Sequence, residues 1–130
     1  MGFPQNLKYS ETHEWAKTDG GSVVIGITDF AVQQLQDLVF IDLPKPGTRV
    51  EKGKRFGEIE SVKAVSDLIS PVSGEIAAVN DGLLKSLDPL VKDAYGAGWL
   101  IKVKAAGGDA LAGLLDSAAY EKVTADGGHH

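Results

Sequence analysis

The stretch GEIESVKAVSDLISPVSGEI, residues 57–76, surrounds Lys63 with small and apolar residues and sets Glu60 and Asp67 on either side of it. A lysine near two acids is ordinarily a solvated ion pair. Glu-x-x-Lys also occurs at Glu14/Lys17 and Glu51/Lys54, so the local pair is uninformative. The frame around it says more. Gly47 stands sixteen residues before Lys63 and Gly74 eleven after it, and no other lysine has glycines at both offsets.

Outward from Lys63 the sequence alternates extended pieces with tight turns. SVVIGI (22–27) is a β-branched run that reads as a buried strand, and Thr28 behind it is a competent helix N-cap. In TDFAVQQLQDL (28–38), Phe30, Ala31, Leu35 and Leu38 recur at helical spacing while Gln33, Gln34, Gln36 and Asp37 supply a polar face, which predicts a short helix. VFIDLP (39–44) returns to strand character and stops at Pro44. Pro71, Gly74, Asn80 and Gly82 punctuate the middle of the chain. GWLIKVK (98–104) places Trp99, Ile101 and Val103 on one strand face with Lys102 and Lys104 opposite. The Ala- and Leu-rich segment 109–123 predicts two short helices broken around Asp116 and Ser117. A faint echo links GTRVEKG (47–53) with GEIAAVNDG (74–82), and two similar β-halves flanking Lys63 suit a quasi-symmetric flattened barrel.

The composition bounds the function. A chain of 130 residues, 43% hydrophobic and 24% charged, fits one domain with one core, and no apolar run approaches the ~20 residues of a membrane helix. The net charge of −5, with Lys and Arg scattered among acids, argues against nucleic acid as a partner. There is no cysteine, hence no disulfide, no thiolate nucleophile and no Cys-ligated metal site, and any redox chemistry has to be imported. The amino end has neither a secretory apolar stretch nor an Arg-rich presequence pattern, so a cytoplasmic protein is expected, with a mature mitochondrial protein as the alternative. The terminal Gly-Gly-His-His (127–130) is read as an appended remnant, and His129 and His130 receive no role.

ESVKAVSD (60–67) with both framing glycines resembles the lipoylation site of lipoyl-carrier domains, specifically those of the glycine cleavage H-protein family. YSETHEW (9–15), VIGITDFAVQQL (24–35), LVFIDLPKPG (38–47), SPVSGEI (70–76) and YGAGWLIKVK (95–104) match that family in order, which is far more specific than a single tetrapeptide. The resemblance implies a mainly β fold, a flattened quasi-symmetric barrel-sandwich of the lipoyl-domain type with a short helix after the first strands and short C-terminal helices. It also implies that Lys63 stands at a β-hairpin tip, amide-linked to lipoic acid. Ser61–Ala64 carries no Gly, Asn or Pro, and residue pattern alone does not nominate it as a turn, although a type I turn tolerates all four residues.

The same resemblance implies a carrier rather than an enzyme. Its arm would collect an aminomethyl group at a pyridoxal-phosphate glycine decarboxylase and yield it to a folate-dependent aminomethyltransferase. A dihydrolipoyl dehydrogenase would then reoxidise it. Glu60, Gly47 and Gly74 would serve recognition by lipoylating enzymes, with ordinary turn chemistry weighed equally for the two glycines. Thr12, Glu14 and Asp67 would line a cleft sheltering the aminomethyl ammonium. The bland alternative is that Glu14 pairs with Lys17 and Asp67 is a turn residue. A monomer is expected. His13 is read as fold support or a partner contact and not as a catalyst, and Trp15 and Trp99 as core. The stretch 86–95 is slightly shorter than the family pattern and has Lys92 at a position of Asn, so its loop is expected to change shape, and no role is assigned there.

Three rival readings fit the same residues less well. A lipoyl domain serving a 2-oxoacid dehydrogenase or a lipoyl-relay pathway would also carry Lys63, but is ordinarily joined to an acyltransferase by Pro- and Ala-rich linkers. A biotin carrier would flank its lysine with methionines, whereas Val62 and Ala64 stand here and the one methionine is Met1. An inert interaction module would never be lipoylated.

Overall fold

The computed structural model describes residues 4–105 and 113–125. The chain opens with β1 (Lys8–Tyr9), β2 (Glu14–Asp19) and β3 (Ser22–Ile27), followed by helix α1 (Asp29–Leu35) and β4 (Leu38–Asp42). Next come β5 (Arg49–Val50), β6 (Arg55–Ser61), β7 (Val65–Ile69) and β8 (Gly74–Val79). A 3-10 turn (Asp81–Leu84), α2 (Asp88–Lys92), β9 (Ile101–Ala105) and α3 (Ser117–Ala125) complete it. The strands form a six-stranded sheet in the order β1-β2-β3-β9-β8-β5 and a three-stranded sheet in the order β4-β6-β7. The fold is mainly β, as the resemblance implied.

Alternation along the strands sorts the core. Ala16, Val23, Ile25, Ile27, Ile101 and Val103 face Ile41, Ile59 and Leu68 between the sheets. From the opposite face of the larger sheet, Trp15 and Val24 pack with Leu7, Tyr9 and Tyr120 under α3. Trp15 is therefore core, as expected, and its Nε1 donates to the Ala94 carbonyl at 3.0 Å. Trp99 differs from the expectation: it precedes β9, does not share the face of Ile101 and Val103, and is half-buried at the margin of this second cluster, with the Lys102 ammonium 5.1 Å from its ring centroid.

Helix α1 begins as expected, with the Thr28 hydroxyl accepting from the Ala31 N–H at 3.2 Å. It stops at Leu35, earlier than the apolar spacing predicts, because Gln36 and Asp37 take positive φ values of 54° and 29°. Leu38 consequently belongs to β4, where it pairs with Ser61. The predicted break at Asp116 and Ser117 is a helix start: the Asp116 carboxylate accepts from the Ala119 N–H at 2.8 Å and α3 runs from there. Of the other predicted C-terminal helix, residues 109–112 lie outside the described residues, as do 127–130. Leu115 is not helical but bridges Tyr9.

The two echoing segments pair with each other. Arg49 lies opposite Glu75 and Val50 opposite Gly74, and Gly47 donates its N–H to Ile76 at 2.8 Å. A Cβ on Gly74 would fall 2.2 Å from the Lys104 carbonyl oxygen and 2.7 Å from Val103 Cγ1, inside the β8–β9 ladder. Backbone on one side and a packed core on the other leave no room to yield, so Gly74→Ala is expected to cost about 3 kcal/mol. Urea unfolding checks this, and stability within about 0.5 kcal/mol of the parent contradicts it.

Candidate functional site

Strands β6 and β7 form a hairpin paired from Arg55/Ile69 to Glu60/Val65, and Lys63 stands exposed at its tip. Neither Val62 nor Lys63 has a positive φ, which excludes the I′ and II′ turns usual in tight hairpins. Ser61 supplies what the missing turn residues would. Its N–H donates to the Ala64 carbonyl at 2.8 Å and its hydroxyl accepts from the Ala64 N–H at 3.1 Å. The Val62 N–H donates to the Asp37 carbonyl at 3.1 Å, tying the tip to the segment after α1. The Lys63 ammonium meets the Gln36 amide oxygen at 3.4 Å and takes part in none of the ion pairs among the described residues.

Glu60 projects from the outer face of the small sheet between its register partners Phe40 and Val65, which are 51% and 60% exposed. The carboxylate is thus framed by open apolar surface two residues from the turn. Gly47 and Gly74 sit elsewhere, where the chain enters and leaves the Arg55/Ile69 end of the hairpin, remote along the ladder from its tip. Gly47 has a φ of 91°, a conformation open to glycine, with nothing near its missing Cβ.

Beside the hairpin lies a cleft of about 370 Å³ between β7, α1 and the start of β2. Thr12, Glu14 and Asp67, which the sequence resemblance grouped, all line it, together with His13 and apolar side chains that include Ile27, Leu35, Ile59 and Leu68. Val65, two residues past Lys63, and Leu35, next to Gln36, are lining residues too, so the cleft opens beside the Lys63 tip. No residue of 86–95 lines it. The stretch 86–95 instead folds onto the body, with Leu90 fully buried and the Tyr95 hydroxyl donating to Asp29 at 2.7 Å.

Glu14 is 1% exposed. Its Oε1 accepts from the Ser10 hydroxyl at 2.7 Å and from the Thr12 hydroxyl, and its Oε2 accepts from the Ile69 N–H at 3.1 Å. Burial pushes its pKa up to about 7, and the hydrogen bonds from Ser10, Thr12, the Ile69 N–H and its own N–H offset only part of that rise. It does not pair with Lys17, because residues three apart on a strand point to opposite faces. Asp67 is different. It is exposed, and its Oδ1 accepts from Arg55 Nε at 3.1 Å, a guanidinium that also holds Glu58. His13, 6% exposed with a φ of 77°, puts Nδ1 2.7 Å from the Tyr120 hydroxyl, which also meets Thr28 Oγ1 at 2.7 Å. The histidine ties the cleft floor to α3, in keeping with fold support.

Sequence reasoning missed Ser10, Arg55 and the Ile69 N–H. Ser10 and Thr12, four and two residues before Glu14, were visible as hydroxyls around an acid, but that the chain curls to aim both at one oxygen was not. Arg55 and Ile69 reach the site only through the β6–β7 ladder.

Residues 7–127 match the family model described as Glycine cleavage H-protein. A glycine cleavage system H protein of Bacteroides thetaiotaomicron is 49% identical over 123 residues, covering 95% of this chain and 98% of that protein. One from Myxococcus xanthus is 47% identical over 118 residues, covering 91% and 92%. The crystal structure of a glycine cleavage system H protein from Mycobacterium marinum is similar with a TM-score of 0.85 and 40% identity, over 96% of this chain and 99% of that one.

Proposed function

The chain belongs to the glycine cleavage H-protein family, and from that premise we propose that Lys63 is the residue that carries its lipoyl group and that the adjoining cleft receives the loaded arm. As a member it is the lipoyl carrier of the glycine cleavage system, bearing the cofactor on a lysine. The observation that carries the assignment to Lys63 is its position: an exposed primary amine on a two-residue turn, beside the mouth of a cleft that ends on a buried carboxyl.

The residues present suit the cofactor. Lys63 has a long stem and, among the described residues, no ion pair to break, and acylating it removes its charge, so the neutral arm can lie against Leu35, Ile59 and Leu68. When attached, the dithiolane supplies the sulfur chemistry that a chain without cysteine lacks. Glu14 then offers a negative charge where water is scarce, and the Thr12 hydroxyl lies beside it. Asp67 already balances Arg55 and adds less. The chain acts as one carrier domain, a cytoplasmic monomer and not a catalyst. Its partners are the decarboxylase, the aminomethyltransferase, the dihydrolipoyl dehydrogenase and the lipoylating enzymes.

We assign Glu60 to recognition by the lipoylating enzyme. Gly47 and Gly74 act on that recognition only through the backbone frame they permit. Glu60→Ala is expected to slow lipoylation several-fold while changing stability by less than about 0.5 kcal/mol. Equal lipoylation rates with a lowered melting temperature would make Glu60 structural. The carrier role itself is tested by titrating the lipoylated protein into glycine–bicarbonate exchange with the decarboxylase, where the rate should saturate. A lipoylated protein inert in that exchange but reductively acylated by a 2-oxoacid dehydrogenase would favour the alternative lipoyl domain.

A further inference from the structure

Among the described residues, Glu14 is a buried acid with donors but no cation. None of the ion pairs among the described residues includes it, and its three hydrogen-bond partners are all neutral. Each carboxylate oxygen has two lone-pair sites. Ser10 and Thr12 donate to Oε1 and the Ile69 N–H to Oε2, and none of these donors carries a charge to balance the carboxylate. The two kinds of donor differ. The Ile69 N–H can only donate, whereas the Ser10 and Thr12 hydroxyls can rotate and accept, as their own contact at 3.1 Å illustrates. A proton on Oε1 therefore finds an acceptor when the acid is neutral, and two donors replace it when the acid is ionised. Ser10 also accepts from the Glu14 N–H at 3.1 Å, which fixes that hydroxyl in place.

The surrounding elements do not settle the charge. Helix α1 contributes Ala31, Gln34 and Leu35 to the cleft and β3 contributes Ile27, none of them titratable. Strand β7 brings Asp67, already on Arg55 from β6. His13 is bound to the Tyr120 hydroxyl of α3, and that phenol is kept neutral, its pKa raised by burial and lowered only in part by Thr28.

We propose that Glu14 exchanges its proton for the cargo's ammonium: a proton held by the carboxyl in the empty cleft is driven into solvent when a primary ammonium seats on that carboxyl, with Ser10 as the positioning residue. The proposal rests on the reading that the loaded arm enters this cleft. The balance is simple. An acid and an ammonium become a carboxylate–ammonium pair, and one proton leaves to water. Expelling the cargo as an iminium requires the nitrogen lone pair, and a nitrogen held protonated by Glu14 has none to give. Shelter is then electronic as well as steric. Below the Glu14 midpoint, the cleft's affinity for the cation should fall about tenfold per pH unit.

The test is carboxyl-carbon NMR of the whole lipoylated protein across pH 5–9, in the oxidised state and after loading the reduced arm with ammonium and formaldehyde. Glu14→Gln identifies the resonance. The expected midpoint is about 7 in the empty protein and at least a full unit lower in the loaded one. Ser10→Ala should raise the empty midpoint by removing a donor to the carboxylate. An Ile69 amide resonance that moves on loading while the midpoint stays fixed overturns proton exchange and leaves the cleft reading intact. If neither responds, the arm does not enter and both readings fall.

Discussion

Lys63→Arg is expected to abolish lipoylation and bring glycine–bicarbonate exchange to background, with a melting temperature within about 2 °C of the parent. The fold has little reason to respond, because the side chain is exposed and its one side-chain hydrogen bond among the described residues is a 3.4 Å contact to Gln36 that a guanidinium can also make. The turn is held by Ser61 and by the Asp37 carbonyl, neither of which touches the Lys63 side chain. The chemistry has every reason to respond, since a guanidinium keeps the charge and cannot form the stable lipoyl amide. Exchange at the parent rate would remove Lys63 as the attachment point.

Glu14→Gln should change both stability and cargo retention. The folded-state pKa of about 7 lies above the ordinary carboxyl value of 4.5, so the folded protein holds a proton that the unfolded chain gives up between those pH values. The stability from this group is complete below about pH 4.5 and is lost as pH rises to about 7, up to about 3 kcal/mol in all. Glutamine copies the neutral acid, offering a carbonyl to the Ile69 N–H and an amide to the hydroxyls of Ser10 and Thr12. The variant should therefore lose that pH dependence and exceed the parent above pH 7, as urea titrations at pH 5 and pH 8 would reveal. Its cargo should suffer. Loss of a charge-assisted hydrogen bond in a dry site corresponds to roughly 10- to 100-fold faster formaldehyde release from the isolated loaded protein. Asp67→Asn should do less, because that carboxylate is exposed and shared with Arg55. If both variants retain cargo as long as the parent, these carboxylates do not shelter it.

Where local pattern and tertiary structure agree, the sequence was readable. The Thr28 cap and the alternation of Ile101 and Val103 with Lys102 and Lys104 are set by neighbours in the chain, and they stand where expected. Helix α1 was overextended because Leu38 satisfies helical spacing, yet the core wants it in β4 against β6, which is reached by turning the backbone at Gln36 and Asp37. The Lys63 turn was opaque to residue pattern because its closure depends on the Ser61 side chain and on Asp37, a residue 25 positions from Val62 in the chain. For the same reason the state of Glu14 could not be read. Its membership in the cleft came from resemblance, but its raised pKa comes from burial, and the hydrogen bonds that hold it and partly offset that rise come from Ile69, 55 residues away, and from the curl that aims Ser10 and Thr12 at one oxygen.

The attachment of the cofactor to Lys63 is most directly tested by intact-mass spectrometry with peptide mapping of this protein made in a host competent for lipoylation. The account predicts one lipoyl group per chain, on the peptide bearing Lys63, and none on that peptide in Lys63→Arg. An unmodified chain, a biotinyl group, or a lipoyl group on any of the other lysines would contradict it.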